Sequence, residues 1–193
     1  MDLTDYILEA CDLTYNYPNG TEALKGLNVR IPRGKKLALL GANGAGKSTL
    51  FLHFNGILQP KSGKILYNGT EVRYDRKSLL DLRKNVGIVF QDPDSQLFSA
   101  SVYQEISFGP LNMGWPEKIV MERVEKAMIS TGVSELRDKP THMLSYGQKK
   151  RVTIADILVM EPQVLICDEP TAWLDPKYTK IMMQLFNQIN GWH

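Results

Sequence analysis

At 193 residues with 43% hydrophobic content, the chain can bury a sizeable core as one domain or a compact pair of subdomains. A formal net charge of +2 removes any bulk electrostatic case for nucleic acid or an acidic membrane surface as partner. Two distant cysteines, Cys11 and Cys167, exclude a disulfide framework and fit a reduced cytosolic interior, and no apolar run approaches the roughly 20 residues of a membrane span.

The N-terminal MDLTDYILEA lacks the basic-then-apolar order of a signal peptide. YILEACDLTYNY and ALKGLNVRIP read as strands joined across the turn Pro18-Asn19-Gly20. KKLALLG is a short apolar run ending in glycine, the pattern of a buried strand, and residues 47–54 then turn helical. GKILYNGTEV predicts a hairpin around Asn68-Gly69. NVGIVFQ reads as a second buried strand. From Asp92 to about Met160 helical patterns dominate, over 102–108, 117–131 and 146–160. In this stretch Met121 and Met128 read as core or interface filler, and Lys149-Lys150-Arg151 as a solvated helix face. EPQVLICDEP restores a buried strand. Residues 177–190 form an amphipathic helix with Ile181, Leu185 and Ile189 on one face. The alternation predicts an α/β fold around a mostly parallel core sheet, with an N-terminal antiparallel β subdomain and a helical subdomain inserted over about 92–160.

GANGAGKST, Gly41 to Thr49, satisfies G-x-x-x-x-G-K-[ST] in full, between an expected strand and an expected helix. Gly41, Asn43, Gly44, Ala45 and Gly46 let backbone N–H groups curl around phosphate oxygens. The helix opening near Gly46 turns its positive end to the same anion. Lys47 reaches the β- and γ-phosphates, the Ser48 hydroxyl ligates Mg²⁺, and Thr49 touches a further phosphate. The glycine spacing differs from the dinucleotide fingerprint, so the loop predicts nucleoside triphosphate binding.

VLICDEP supplies acids at a strand end, where open α/β sheets place ligands. Asp168 suits a Mg²⁺ partner through water, and Glu169 suits a base for the attacking water.

LSYGQKKR, Leu144 to Arg151, resembles the signature of ABC-type ATPases, usually written LSGGQ, with Tyr146 in place of a glycine. The fold this implies is the P-loop NTPase fold of the ABC ATPases. In that family Leu144, Ser145, Tyr146, Gly147 and Gln148 would cap the γ-phosphate held by the other subunit's phosphate loop. The resemblance also implies that Tyr17 stacks on adenine, that Gln91, ending the strand GIVF, is the Q-loop glutamine that reaches Mg²⁺, and that Asp175 is the D-loop acid. The stretches YNYPNGTEALKG, GIVFQDPDSQLFSASVYQEISFGPLN and LSYGQKKRV resemble the cobalt-type and energy-coupling-factor importers. For those the resemblance implies ATP and Mg²⁺ as cofactors and uptake of transition metal ions or vitamins. It further implies a second ATPase subunit, a transmembrane coupling protein, a substrate-binding membrane protein and a peripheral place on the cytoplasmic face of the membrane. Residues around 92–112 would receive the coupling helices.

Three departures carry expectations of their own. The family places a switch histidine after a further strand, and His193 comes too early to be it, so the chain reads as C-terminally truncated. Trp173 and Asp156 stand where relatives carry small residues, and a buried Asp156 needs a partner. Two other readings follow: a non-hydrolytic nucleotide-binding or regulatory remnant, and a soluble ABC protein of DNA repair or translation.

Overall fold

The computed structural model describes residues 5–188, in two compact units, 1–86 and 87–193. Ile189, Gly191, Trp192 and His193 lie outside the described residues.

In the first unit, β1 (Tyr6–Asn16) pairs antiparallel with β2 (Glu22–Pro32) and with β3 (Ser62–Tyr67), and β4 (Thr70–Glu71) adds an edge. Leu8, Ala10 and Leu13 of β1, Leu24 of β2 and Ile65 of β3 are buried. Asn68 and Gly69 both take positive φ, 51° and 73°, which a two-residue hairpin turn of the right twist requires. β1 bulges at Asp12, whose φ is 47°. There Asn28 Nδ2 donates to the Asp12 carboxylate at 2.8 Å, and the Asp12 N–H donates back to Asn28 Oδ1 at 3.0 Å. Gly63 passes opposite with φ 80°, so close that a Cβ would overlap the Asp12 carbonyl.

Helix α1 (Lys47–Phe54) has the expected bounds. Helix α2 (Arg76–Asn85) had no counterpart in the sequence pattern. It buries only Leu82 fully, so its apolar stripe is faint, and its signal is Asp75, which caps the Ser78 N–H at 3.0 Å.

The expected buried strand KKLALLG is not one. Residues 35–40 belong to no strand, and Leu37 and Leu40 are 51% and 90% exposed. A short apolar run favours extended backbone, but a buried strand must also join a sheet, and residues 35–40 join neither of the two.

In the second unit, β5 (Val86–Val89), which starts at the last residue of the first unit, and β6 (Val164–Cys167) form a two-stranded parallel sheet. Between them come α3 (Val102–Asn112), α4 (Glu117–Thr131) and α5 (Tyr146–Leu158), and α6 (Pro176–Gln188) follows. Helix α3 continues through Pro110, four residues past its expected end, and α4 stops on Gly132 at φ 64°. One core cluster joins Val102, Ile106, Val120, Val124, Ala127 and Met128 to Val152 and Ala155 of α5 and to Val159 just past its end. A second joins Val89 and Met182 to Ile154 and Leu158 on the other side of α5. Met128 is thus core, whereas Met121 is half exposed. On α6 the inward positions are Met182 and Leu185, with Ile181 only partly buried; the stripe is rotated from the expected one.

The reading of Lys149-Lys150-Arg151 as a solvated face is overturned. Lys149 pairs with Asp94, and Arg151 Nη1 donates to the carbonyls of Thr131 and Gly132, which cap the end of α4. Lys150 is fully buried.

Candidate nucleotide site

In the first unit the phosphate loop hangs between residues 35–40 and α1. Gly44 and Gly46 take φ of 80° and 87°, and Gly46 packs against β2, where an added Cβ would lie 2.6 Å from the Ala23 carbonyl oxygen. Only glycine satisfies both demands at Gly46. No side chain caps α1 at its start, so its first N–H groups face the loop without a side-chain acceptor. Lys47 Nζ donates to the carbonyls of Gly41 and Ala42, at 2.9 and 3.0 Å, folding the cation over the loop. Ser48 is exposed, whereas Thr49 is buried with its hydroxyl 3.0 Å from that of Tyr17. Tyr17 stands edge-on to Tyr15, and Tyr15 edge-on to His53. That histidine is fully buried, with Nδ1 at 2.7 Å from the Thr49 carbonyl, and burial lowers its pKa. Its packing under the loop was not legible from its place in the sequence.

In the second unit β6 ends on the acids. The Asp168 N–H continues the pairing with β5 through the Val89 carbonyl at 2.9 Å, and the Asp168 side chain is 7% exposed. Glu169 turns the chain at φ 44°, in the left-handed region that non-glycine residues enter only under constraint. Its Oε2 accepts from Gln91 Nε2 at 2.9 Å. Two residues 78 positions apart are thereby brought together.

Helix α5 opens on the signature. Ser145 and Gln148 form a reciprocal capping box, and Leu144 is buried beneath. Gly147 faces Tyr178, at 3.5 Å from where its Cβ would be. Tyr146 donates its hydroxyl to the Gln91 carbonyl at 3.2 Å, and Lys150, one turn on, reaches the same carbonyl. Asp175 accepts from the Tyr178 N–H at 2.9 Å and caps α6, while Trp173 is 82% exposed with φ 63°.

Each unit by itself offers oxygen ligands of the kind a hard divalent cation takes. Ser48 presents a hydroxyl and Asp168 a carboxylate. Gln91 spends its amide nitrogen on Glu169, which leaves its amide oxygen as an acceptor. Asp156 does find the partner it needs: Gln96 Nε2 donates to it at 3.4 Å, while Gln96 Oε1 accepts from the Phe90 N–H.

The family described as ABC transporter matches residues 24–172, which contain the phosphate loop, the signature and both strand-end acids. The chain belongs to the ABC transporter family. Among its relatives is the energy-coupling factor transporter ATP-binding protein EcfA3 of Clostridium perfringens, 58% identical over 97% of this chain and 66% of that protein. Another is the energy-coupling factor transporter ATP-binding protein EcfA of Methanocaldococcus jannaschii, 51% identical over 96% of this chain and 66% of its own length. The chain therefore spans just under two thirds of the curated relatives it matches. A solved structure of cbiO1 from Clostridium perfringens, described as part of the ABC transporter complex cbiONQ, superposes with a TM-score of 0.86 at 57% identity. It is covered over 74% of its chain and covers 96% of this one. As a member of this family, the chain has the α/β P-loop fold expected of it.

Proposed function

We propose that this chain is the ATP-binding and ATP-hydrolysing part of an energy-coupling-factor importer. The observation that carries this is the contact between Gln91 and Glu169 at the end of β6, 2.9 Å long, beside the buried Asp168. It joins an amide that can serve a cation to a carboxylate that can serve water. The backbone N–H groups of residues 41–47 and the Lys47 ammonium hold the phosphates of ATP; Lys47 exchanges the carbonyls of Gly41 and Ala42 for phosphate oxygens. Asn43, Ala45 and Thr49 complete that cradle, and Tyr17 packs on the base. Ser48, Gln91 and Asp168 would hold Mg²⁺, which would neutralise phosphate charge when bound. Glu169 orients the attacking water and takes its proton. Catalysis rests on positioning and charge stabilisation.

The signature residues Leu144, Ser145, Tyr146, Gly147 and Gln148 face the nucleotide of a second ABC ATPase subunit, with Asp175 at the same interface. A transmembrane coupling protein and a substrate-binding membrane protein complete the importer, with residues around 92–112 receiving the coupling helices. Among the described residues no helix is long and apolar enough to cross a membrane, which suits a peripheral subunit on the cytoplasmic face. The cargo we propose is a transition metal ion, cobalt or nickel, or a vitamin.

A Glu169→Gln variant tests the reading. With saturating Mg²⁺ and ATP it should form a dimer by light scattering and lose hydrolysis by about a hundredfold or more. A variant that binds ATP and stays monomeric overturns it.

A further inference from the structure

Lys150 has no surface left in water, yet no carboxylate lies within salt-bridge distance of it among the described residues. Desolvating a cation costs several kcal/mol unless its donors are matched. The Lys150 donors go to two backbone carbonyls, those of Gln91 and, at 3.4 Å, Glu169. These are the two residues whose side chains meet at 2.9 Å. The ammonium therefore closes a ring: from Lys150 to the Gln91 backbone, out along the Gln91 amide, across to the Glu169 carboxylate and back through the Glu169 carbonyl. Glu169 sits in the left-handed region, a conformation that persists only where its surroundings hold it.

Tyr146 acts on the same point. It lies four residues before Lys150, on the same face of α5. Its hydroxyl reaches the Gln91 carbonyl at 3.2 Å, and its ring lies 5.7 Å from the Lys150 ammonium. A glycine at 146 could do neither. A buried ammonium is also a costly way to fill space, since an apolar chain of the same length fills it without the desolvation.

We propose that Lys150, assisted by Tyr146, is a positioning residue that holds Gln91 and Glu169 in register through their backbone carbonyls, tying the signature helix to the hydrolytic pair. The inference rests on the ATPase reading of Glu169, and its test separates the two.

The test uses the full chain, isotope-labelled, with Lys150→Met and Tyr146→Phe. Methionine keeps an unbranched chain, one atom shorter, and removes the charge, so a folded variant is expected. The side-chain amide protons of Gln91, assigned through their loss in Gln91→Ala, report the contact with the carboxylate; Glu169→Gln supplies the neutral reference. In the native chain one amide proton is displaced from the range of exposed glutamines. In Lys150→Met both should return to that range, and in Tyr146→Phe the displacement should shrink. In turnover, Lys150→Met should lower kcat by at least about tenfold, with the affinity for a fluorescent ATP analogue unchanged within about twofold. An unchanged Gln91 signature in folded Lys150→Met overturns the proposal; should that variant not fold, an unchanged signature in Tyr146→Phe does so. Failure of the native chain to bind the analogue would instead sink the ATPase reading, while the amide resonance still decides the role of Lys150.

Discussion

The carboxyl of Asp156 offers the sharpest quantitative test. It sits on α5 with the Gln96 amide as its hydrogen-bond partner and the buried Glu105 carboxylate nearby on α3. Burial first, and the repulsion of Glu105 second, push it from 3.8 up to about 7, against a smaller pull from Gln96. The folded state thus holds this proton more tightly than the unfolded chain does. Stability is greatest below about pH 4 as far as this group is concerned, falls as pH rises towards 7, and is flat above. A rise of about three units at 1.36 kcal/mol each gives a ceiling of about 4 kcal/mol. Because the group is only partly buried, roughly 2–4 kcal/mol is expected. Asp156→Asn keeps an acceptor for Gln96 and removes the charge. Urea unfolding of both proteins should give similar stabilities at about pH 3.5, below the window in which Asp156 titrates. At about pH 8.5 the variant should be the more stable by that amount, or roughly 5–15 °C in Tm at this chain length. A difference that stays constant between those two pH values refutes the argument, because it would mean that Asp156 titrates alike in both states.

Two glycines give further tests. Gly46→Ala must place a Cβ 2.6 Å from the Ala23 carbonyl at φ 87°, so titration with a fluorescent ATP analogue should show binding lost, with about 2–4 kcal/mol of stability lost in urea. Gly63→Ala, at φ 80° against the Asp12 carbonyl, should cost about 3 kcal/mol or more, read from the urea midpoint, and leave the sequence of the phosphate loop untouched.

Local chemistry was legible in advance, and long-range partnership was not. The bounds of α1 and α4 and the Asn68-Gly69 turn depend on residues within a few positions of one another, and the structure reproduces them. Helix α2 escaped because a helix with one fully buried side chain leaves almost no apolar period. The run at 35–40 misled because its apolar residues signal extension without naming a neighbour. Lys150 looked solvated because its acceptors lie 59 and 19 residues away and are backbone carbonyls, which no side-chain pattern reveals. The need of Asp156 for a partner was evident, but the identity of Gln96, 60 positions off, was not.

Helix α5 belongs to two cores at once. Val152 and Ala155 are shared with α3 and α4, and Ile154 and Leu158 with β5 and α6. Neither cluster can open while the other stays closed without tearing this one helix from half of its neighbours. The amide protons of α4 and of β5 should therefore exchange with solvent through a common opening, making the second unit a single foldon. The helix that begins at Ser145 is also the beam on which cooperative unfolding of that unit turns.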